Sequence, residues 1–436
     1  MTFSIHRATL FSVALFLASC APMPETDAPV VGGATGQPVE LPPESGGLRP
    51  GEAPVIVQEP VIIEEPVIIA EPVVIAPEPE FIQPEPIIVQ EQSVETIDRE
   101  IEDGEYSEVT LFFATNRELL ETFDPSEPTS MFSSNNAVDV TYGTATVSIP
   151  DTHQPGEIES QSWIESLIFT PNPEEFVLLQ DMTPRSKENT FALVDQILAE
   201  DNSVLLYVHG FNTSMEKAAL RSGQMTFDLK WNGPSFFFSW PSQANALAYT
   251  VDQTMAERSE RALIEVLQEL TDLEDAERIV VIAHSMGTHV LTQALLRFHA
   301  ANPEAARRLT AVVLAAPDID ADIFINDIKP VFEDMPTTDV TLYASSNDIA
   351  LQASYAVNGF PRIGDTEFGD DDLSPINMVD ASDAESNFFE HTYYGDNPRI
   401  IDDIGGFIRD RLPPAERPTL VGVPNPDGPT WKVVVR

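Results

Sequence analysis

Arg278-Ile279-Val280-Val281-Ile282-Ala283-His284-Ser285-Met286-Gly287 is the stretch on which the reading of the fold turns. Its unbroken run of β-branched and small apolar residues from Ile279 to Ala283 predicts a strand buried on both faces, because a half-exposed strand would alternate apolar with polar. From Met286 the apolar residues recur at helical spacing as far as Ala300, so the change of period falls on Ser285. A serine on so abrupt a strand-to-helix turn needs small neighbours, since larger side chains would collide with adjacent backbone. Ala283 and Gly287 meet that need, with Ala283 standing where glycine is commoner. So placed, Ser285 presents its hydroxyl as a nucleophile; the alternative is that it only caps the helix.

Outward from this turn, short apolar runs alternate with helical patterns. Strands are predicted at Ser203 to Val208, Pro234 to Trp240, Leu309 to Ala316 and Asp339 to Ala344, and helices at Ser214 to Leu229, Gln243 to Leu273 and Met286 to Ala300. Such alternation predicts an α/β fold, a mostly parallel sheet with helices on both faces. Ahead of it, Glu108 to Ala114 and Tyr142 to Ile149 read as extra antiparallel strands. The strand Leu205-Leu206-Tyr207-Val208 runs into His209-Gly210-Phe211-Asn212, a second loop at a strand end. This loop resembles the oxyanion-loop position of α/β-hydrolases, which implies that the backbone N–H of Phe211 would join that of Met286 in holding a tetrahedral oxyanion. His209 then organises the loop, and His284 packs beside the turn.

A base and an acid must follow in the order serine, acid, histidine. Past the turn only His289, His299 and His391 remain, and the first two lie on the helix that Ser285 opens. That leaves His391 as base, after the strand Ile376 to Val379, expected to be the last. For the acid, Asp348 directly follows the strand Val340 to Ala344, and Asp318 follows the preceding one. Asp348 is the better placed, and Asp318 stays open as the alternative.

The chain has 436 residues and a net charge of −48. Nucleic acid is a poor partner for it, because phosphate neutralisation needs a surplus of Lys and Arg. Residues 1–20 carry Arg7, an apolar run from Ala8 to Ala18, and Leu17-Ala18-Ser19-Cys20. The run is too short to span a bilayer core, which needs about twenty helical residues. It resembles a bacterial lipoprotein signal in which Cys20, the one cysteine of the chain, is lipidated, so that the membrane is reached through the N-terminal lipid. Ala21 after that cysteine favours the outer membrane, the protein facing the periplasm.

Residues 21–108 hold 15 of the 37 prolines and 20 acidic residues against two basic ones, Arg49 and Arg99, and cannot bury a core. Within them Glu59-Pro60-Val61-Ile62-Ile63-Glu64 recurs with a period of six. Proline at every sixth position removes ladder donors, so an extended, disordered Pro/Glu/Val-rich stalk is expected, either a plain tether or a segment that binds a cell-envelope partner.

The folded part is expected over 109–412, with 413–436 as a C-terminal tail. Over that range the chain resembles a bacterial family of α/β-hydrolases of unknown function, loosely grouped with esterases and lipases. The resemblance rests on Phe112-Phe113-Ala114-Thr115-Asn116-Arg117, Tyr142-Gly143 with Val147-Ser148-Ile149-Pro150, Val208 to Asn212, Phe238-Ser239-Trp240-Pro241-Ser242, Ala283 to Gly287, Leu314 to Asp318, and Asn347-Asp348. It implies the α/β-hydrolase fold and a serine-hydrolase mechanism but carries no settled substrate; a small-molecule or lipid ester is the substrate expected. A non-catalytic envelope-binding lipoprotein and a peptidase on the same fold are the alternatives. No P-loop, dinucleotide fingerprint or H-E-x-x-H motif occurs, so no metal or cofactor is expected.

Overall fold

Two layers of apolar side chains need a partner on each side of the buried strands, and the helices supply them. The computed structural model describes residues 106–122, 128–161, 170–366, 373–384, 393–424 and 430–434. The leader with Cys20, residues 21–105 and His391 lie outside these residues, while 106–108, expected to end the stalk, begin the first strand. Strands β1 (Tyr106–Leu119), β2 (Phe132–Pro150) and β3 (Leu178–Arg185) pair antiparallel in sequence order. There follow α1 (Lys187–Leu198), β4 (Ser203–Val208), α2 (Met215–Asp228), β5 (Ser235–Ser239), α3 (Tyr249–Asp272), β6 (Arg278–His284), α4 (Met286–Ala301), the short α5 (Pro303–Ala306) and β7 (Leu309–Ala315). Then come α6 (Ala321–Ile323), α7 (Lys329–Glu333), β8 (Asp339–Ala344), α8 (Ile349–Asn358), β9 (Asn377–Asp380), α9 (Tyr393–Asp396), α10 (Pro398–Ile408), β10 (Leu420–Val423) and β11 (Thr430–Val433). They build one sheet in the order β10-β11-β9-β8-β7-β6-β4-β5-β1-β2-β3, parallel from β11 through β1.

Alternate residues of each central strand enter opposite layers. Ile279, Val281 and Ala283 of β6 pack with α1, α3 and α4, while Val280 and Ile282 pack with α2 and α10. The expected α/β-hydrolase architecture is therefore the observed one. The predicted helix from Gln243 starts later, at Tyr249, because Gln243 gives its N–H to Asp252 and Asn245 caps a 3-10 turn instead. The strand at Ile376 to Val379 is not the last, since the sheet continues past Leu412. β11 pairs with β9, and Arg417, fully buried, donates to Asp403 of α10 at 2.9 Å. Sequence periodicity missed β10 and β11 because each is only four residues long.

Candidate active site

The sheet reverses its winding between β4 and β6. β4 leads into α2 on one face, and β6 leads into α4 on the other. Two neighbouring parallel strands whose exits part in this way leave a crevice beyond their carboxyl ends, which is where open α/β sheets hold ligands. The loops 209–214 and 284–286 flank that crevice.

Ser285 occupies it in a strained turn, at φ 52° and ψ −125°. A non-glycine residue in such a conformation costs on the order of 1–3 kcal/mol and persists only where its surroundings enforce it. They do so here: its N–H donates to Ala315 O of β7 at 2.9 Å, and its C=O accepts from Thr288 Oγ1 at 2.6 Å. A Cβ on Gly287 would lie 2.3 Å from His209 O, so the elbow and the 209–213 loop touch backbone to backbone. A Cβ on Gly210 would lie 3.0 Å from Ser285 Cβ. Glycine is needed at both positions for close approach, since neither adopts a positive φ.

Phe211 follows Gly210 directly. Among the described residues no acceptor partners the N–H of Phe211 or of Met286. Met286 opens α4, so its N–H has no helical acceptor either. His209 is buried between Gly210 O, 2.8 Å from Nδ1, and Trp240 O, 3.2 Å from Nε2, and its ring stacks on Trp240. Burial first, and the nearby Arg117 second, push its pKa down to about 3. In the neutral ring Nδ1–H donates to Gly210 O while Nε2 accepts from Ser239 Oγ at 3.3 Å, so the imidazole is tied to the loop's scaffold. His284 stacks at 4.2 Å on Tyr394 of α9, whose hydroxyl meets Tyr207.

The two acid candidates end the next strands along this edge. Asp318, after β7, accepts from Ser354 Oγ (2.5 Å) on Oδ1 and from Tyr249 Oη (2.7 Å) on Oδ2, and pairs with Arg362, whose Nε lies 3.2 Å from Oδ1 and donates to Ser354 Oγ at 3.0 Å. Asp348, after β8, caps α8 by accepting from the N–H groups of Ala350 and Leu351 on Oδ1. The structure thus gathers Ser285, Phe211, Met286, Asp318 and Asp348 at the carboxyl edge. His391 lies outside the described residues, and so does the distance from it to any of them. Its flanks are held: Asn397 Nδ2 donates to Ala384 O, and Asp396 pairs with buried Arg221 at 2.5 Å.

Residues without a site role in the sequence reading also converge here. Arg117, Ser239 and Ser242 lie in motifs quoted only for family resemblance, and Asp252 gave no signal at all inside a helical pattern. Tyr249 and Arg362 bind Asp318. Among the described residues, no group of three or more His, Cys, Asp or Glu could hold a metal ion.

A family model described as "Alpha/beta hydrolase of unknown function (DUF900)" matches residues 185–411. Among solved structures, a protein ascribed as a cell surface hydrolase of Lactobacillus plantarum WCFS1 is 11% identical with a TM-score of 0.30, the match covering 49% of this chain and 94% of that one. An acetylxylan esterase is also 11% identical with a TM-score of 0.30, over 49% of this chain and 99% of that one. Neither likeness transfers a substrate. No curated protein sequence matches.

Proposed function

Since this chain belongs to that family of α/β-hydrolases of unknown function, we propose that it is a serine hydrolase acting on carboxylic esters, anchored through Cys20 in the bacterial cell envelope. One observation carries the chemistry: a strained, enforced Ser285 beside two backbone N–H groups, Phe211 and Met286, that no described protein acceptor uses.

In this reading His391 takes the Ser285 Oγ proton as Oγ attacks the ester carbonyl. The two N–H groups hold the oxyanion. His391 then hands the proton to the leaving alcohol, and the acyl group remains on Ser285. Water, deprotonated by His391, attacks the acyl-enzyme; Ser285 recovers its proton and the carboxylic acid leaves. Asp348 orients His391 and stabilises it when protonated. His391 is assigned as base because the other two histidines after Ser285, His289 and His299, both lie on α4.

An uncharged rim supports an ester with an apolar portion. Residues 349–361 include no charged side chain, and Ile349, Tyr355, Val357 and Phe360 are exposed there. Leu247 and Val251 are exposed beside them, where Gln253 of α3 bonds Asn358 of α8 at 3.1 Å. Exposed apolar side chains concentrated around α8 and the start of α3 of an otherwise acidic protein favour an apolar ligand there.

The test is turnover of p-nitrophenyl esters of increasing acyl length, together with labelling by a fluorophosphonate. We expect Ser285-dependent turnover that favours acyl chains longer than acetyl, and a label on Ser285. Turnover that survives Ser285→Ala, or no turnover and no label in the wild type, overturns the reading.

A further inference from the structure

Arg117 and Asp252 are both almost completely buried, 2% and 0% exposed, yet they do not meet directly. Ser242 stands between them. Its C=O accepts from Arg117 Nη1 at 3.1 Å, and its hydroxyl donates to Asp252 Oδ2 at 2.6 Å. Their remaining bonds run to the loops at the ends of β4 and β5. Arg117 Nη2 donates to Thr213 O at 2.8 Å and Nε to Ser239 Oγ at 2.9 Å. Asp252 accepts from the N–H of Asn212 at 3.3 Å and of Gln243 at 2.8 Å. Thr213 in turn gives its N–H to Ser242 Oγ at 3.0 Å and its hydroxyl to Phe211 O at 3.1 Å. Asn212 is held at φ 58°, in the left-handed region.

Two buried charges are a poor device for stability, because desolvation consumes most of their attraction. What this arrangement does is fix backbone. Around Phe211 the C=O, both polar backbone groups of Thr213 and the N–H of Asn212 are tied down. The Phe211 N–H is left over.

We propose that Arg117, Ser242 and Asp252 are positioning residues, a buried relay that holds the 209–213 loop so that the Phe211 N–H is in place when an oxyanion forms at Ser285. This rests on the serine-hydrolase reading above. It also explains why Phe112 to Arg117 and Phe238 to Ser242, distant in sequence, belong to one constellation: β1 pairs with β5 and delivers both to the same loop.

The full chain carries the test, with a p-nitrophenyl ester as substrate and a boronate as tetrahedral inhibitor. Removing one oxyanion donor costs about 10²–10³-fold in kcat, and a displaced one costs part of that. Ser242→Ala keeps the C=O that Arg117 bonds but removes the hydroxyl that links Asp252 to the Thr213 N–H, and it leaves Asp252 its bonds from Asn212 and Gln243, so it folds even if Arg117→Gln or Asp252→Asn does not. We expect it to lower kcat at least about tenfold, to leave KM within about twofold and to weaken boronate binding in proportion to kcat. Where Arg117→Gln and Asp252→Asn fold, their combination loses no more than the worse single variant, since both act through one loop. A folded Ser242→Ala with kcat within about twofold of wild type, or with its loss in KM, overturns the relay alone. A wild type without Ser285-dependent turnover overturns the reaction, and the relay's role with it.

Discussion

Asp318 and Asp348 end neighbouring strands, and their surroundings set them apart. Both oxygens of Asp318 are engaged, by Arg362 and Ser354 on one side and Tyr249 on the other. It therefore neutralises a buried guanidinium and ties α3 and α8 together. Asp348 spends Oδ1 on two N–H groups of α8, a task asparagine performs as well at a helix N-cap. Asn is thus a clean probe at 348, keeping the cap while removing the charge that would support a protonated histidine. We expect Asp348→Asn to lose at least about a hundredfold in kcat, about 2.7 kcal/mol of barrier, with its melting midpoint nearly unchanged. Asp318→Asn should lose less than about tenfold in kcat but melt lower, because Arg362 is left buried and underpaired. Ester kinetics and thermal melts of the two variants decide, and the reverse pattern would assign the acid to 318.

At the level of elements, β10 and β11 matter more than their length suggests. The fully buried Arg417, just ahead of β10, pairs with the fully buried Asp403, whose other oxygen accepts from Thr419 Oγ1 at 2.5 Å. Tyr343 of β8 donates to the same carboxylate at 2.6 Å, and Arg417 Nη2 donates to Thr341 of β8 at 3.2 Å. Arg417 also lies over the Phe407 ring of α10. Ending the chain at Leu412 would take Arg417 and Thr419 from the buried Asp403 and leave its charge facing the Tyr343 hydroxyl. Breaking a buried pair in this way costs on the order of 3–5 kcal/mol. We expect the truncated protein to unfold at distinctly lower urea concentration than the full chain; an equal midpoint would mean that the tail contributes nothing to the fold.

On the scale of the whole molecule, the sequence divides into a lipid-signal-like leader, a proline-punctuated acidic segment and the sheet. Among the described residues no helix is long and apolar enough to cross a membrane. The proposed attachment through Cys20 rests on the leader sequence alone. We expect Cys20→Ser to move the protein from the membrane fraction to the soluble fraction of fractionated cells. Equal membrane retention of both forms would reject the anchor.

The strand-turn-helix at Ser285, the strands from β4 to β8 and the helices α2 and α4 were legible from sequence, because each rests on local periodicity and on steric rules for one turn. Gly287 likewise announced a crowded turn, and the structure identifies the crowding atoms as His209 and Val208 carbonyl oxygens. The reach of Arg117 across β1 and β5 to Thr213, and the burial of Asp252 on an otherwise amphipathic helix, depend on groups brought together from 96 positions apart in the first case and from as many as 40 in the second. Nor could four-residue strands announce the sheet edge at β10 and β11. Local order follows from spacing along the chain and can be read there. The partners of buried polar groups are chosen only when the sheet closes, because a charge inside the protein is satisfied by whatever the fold places beside it.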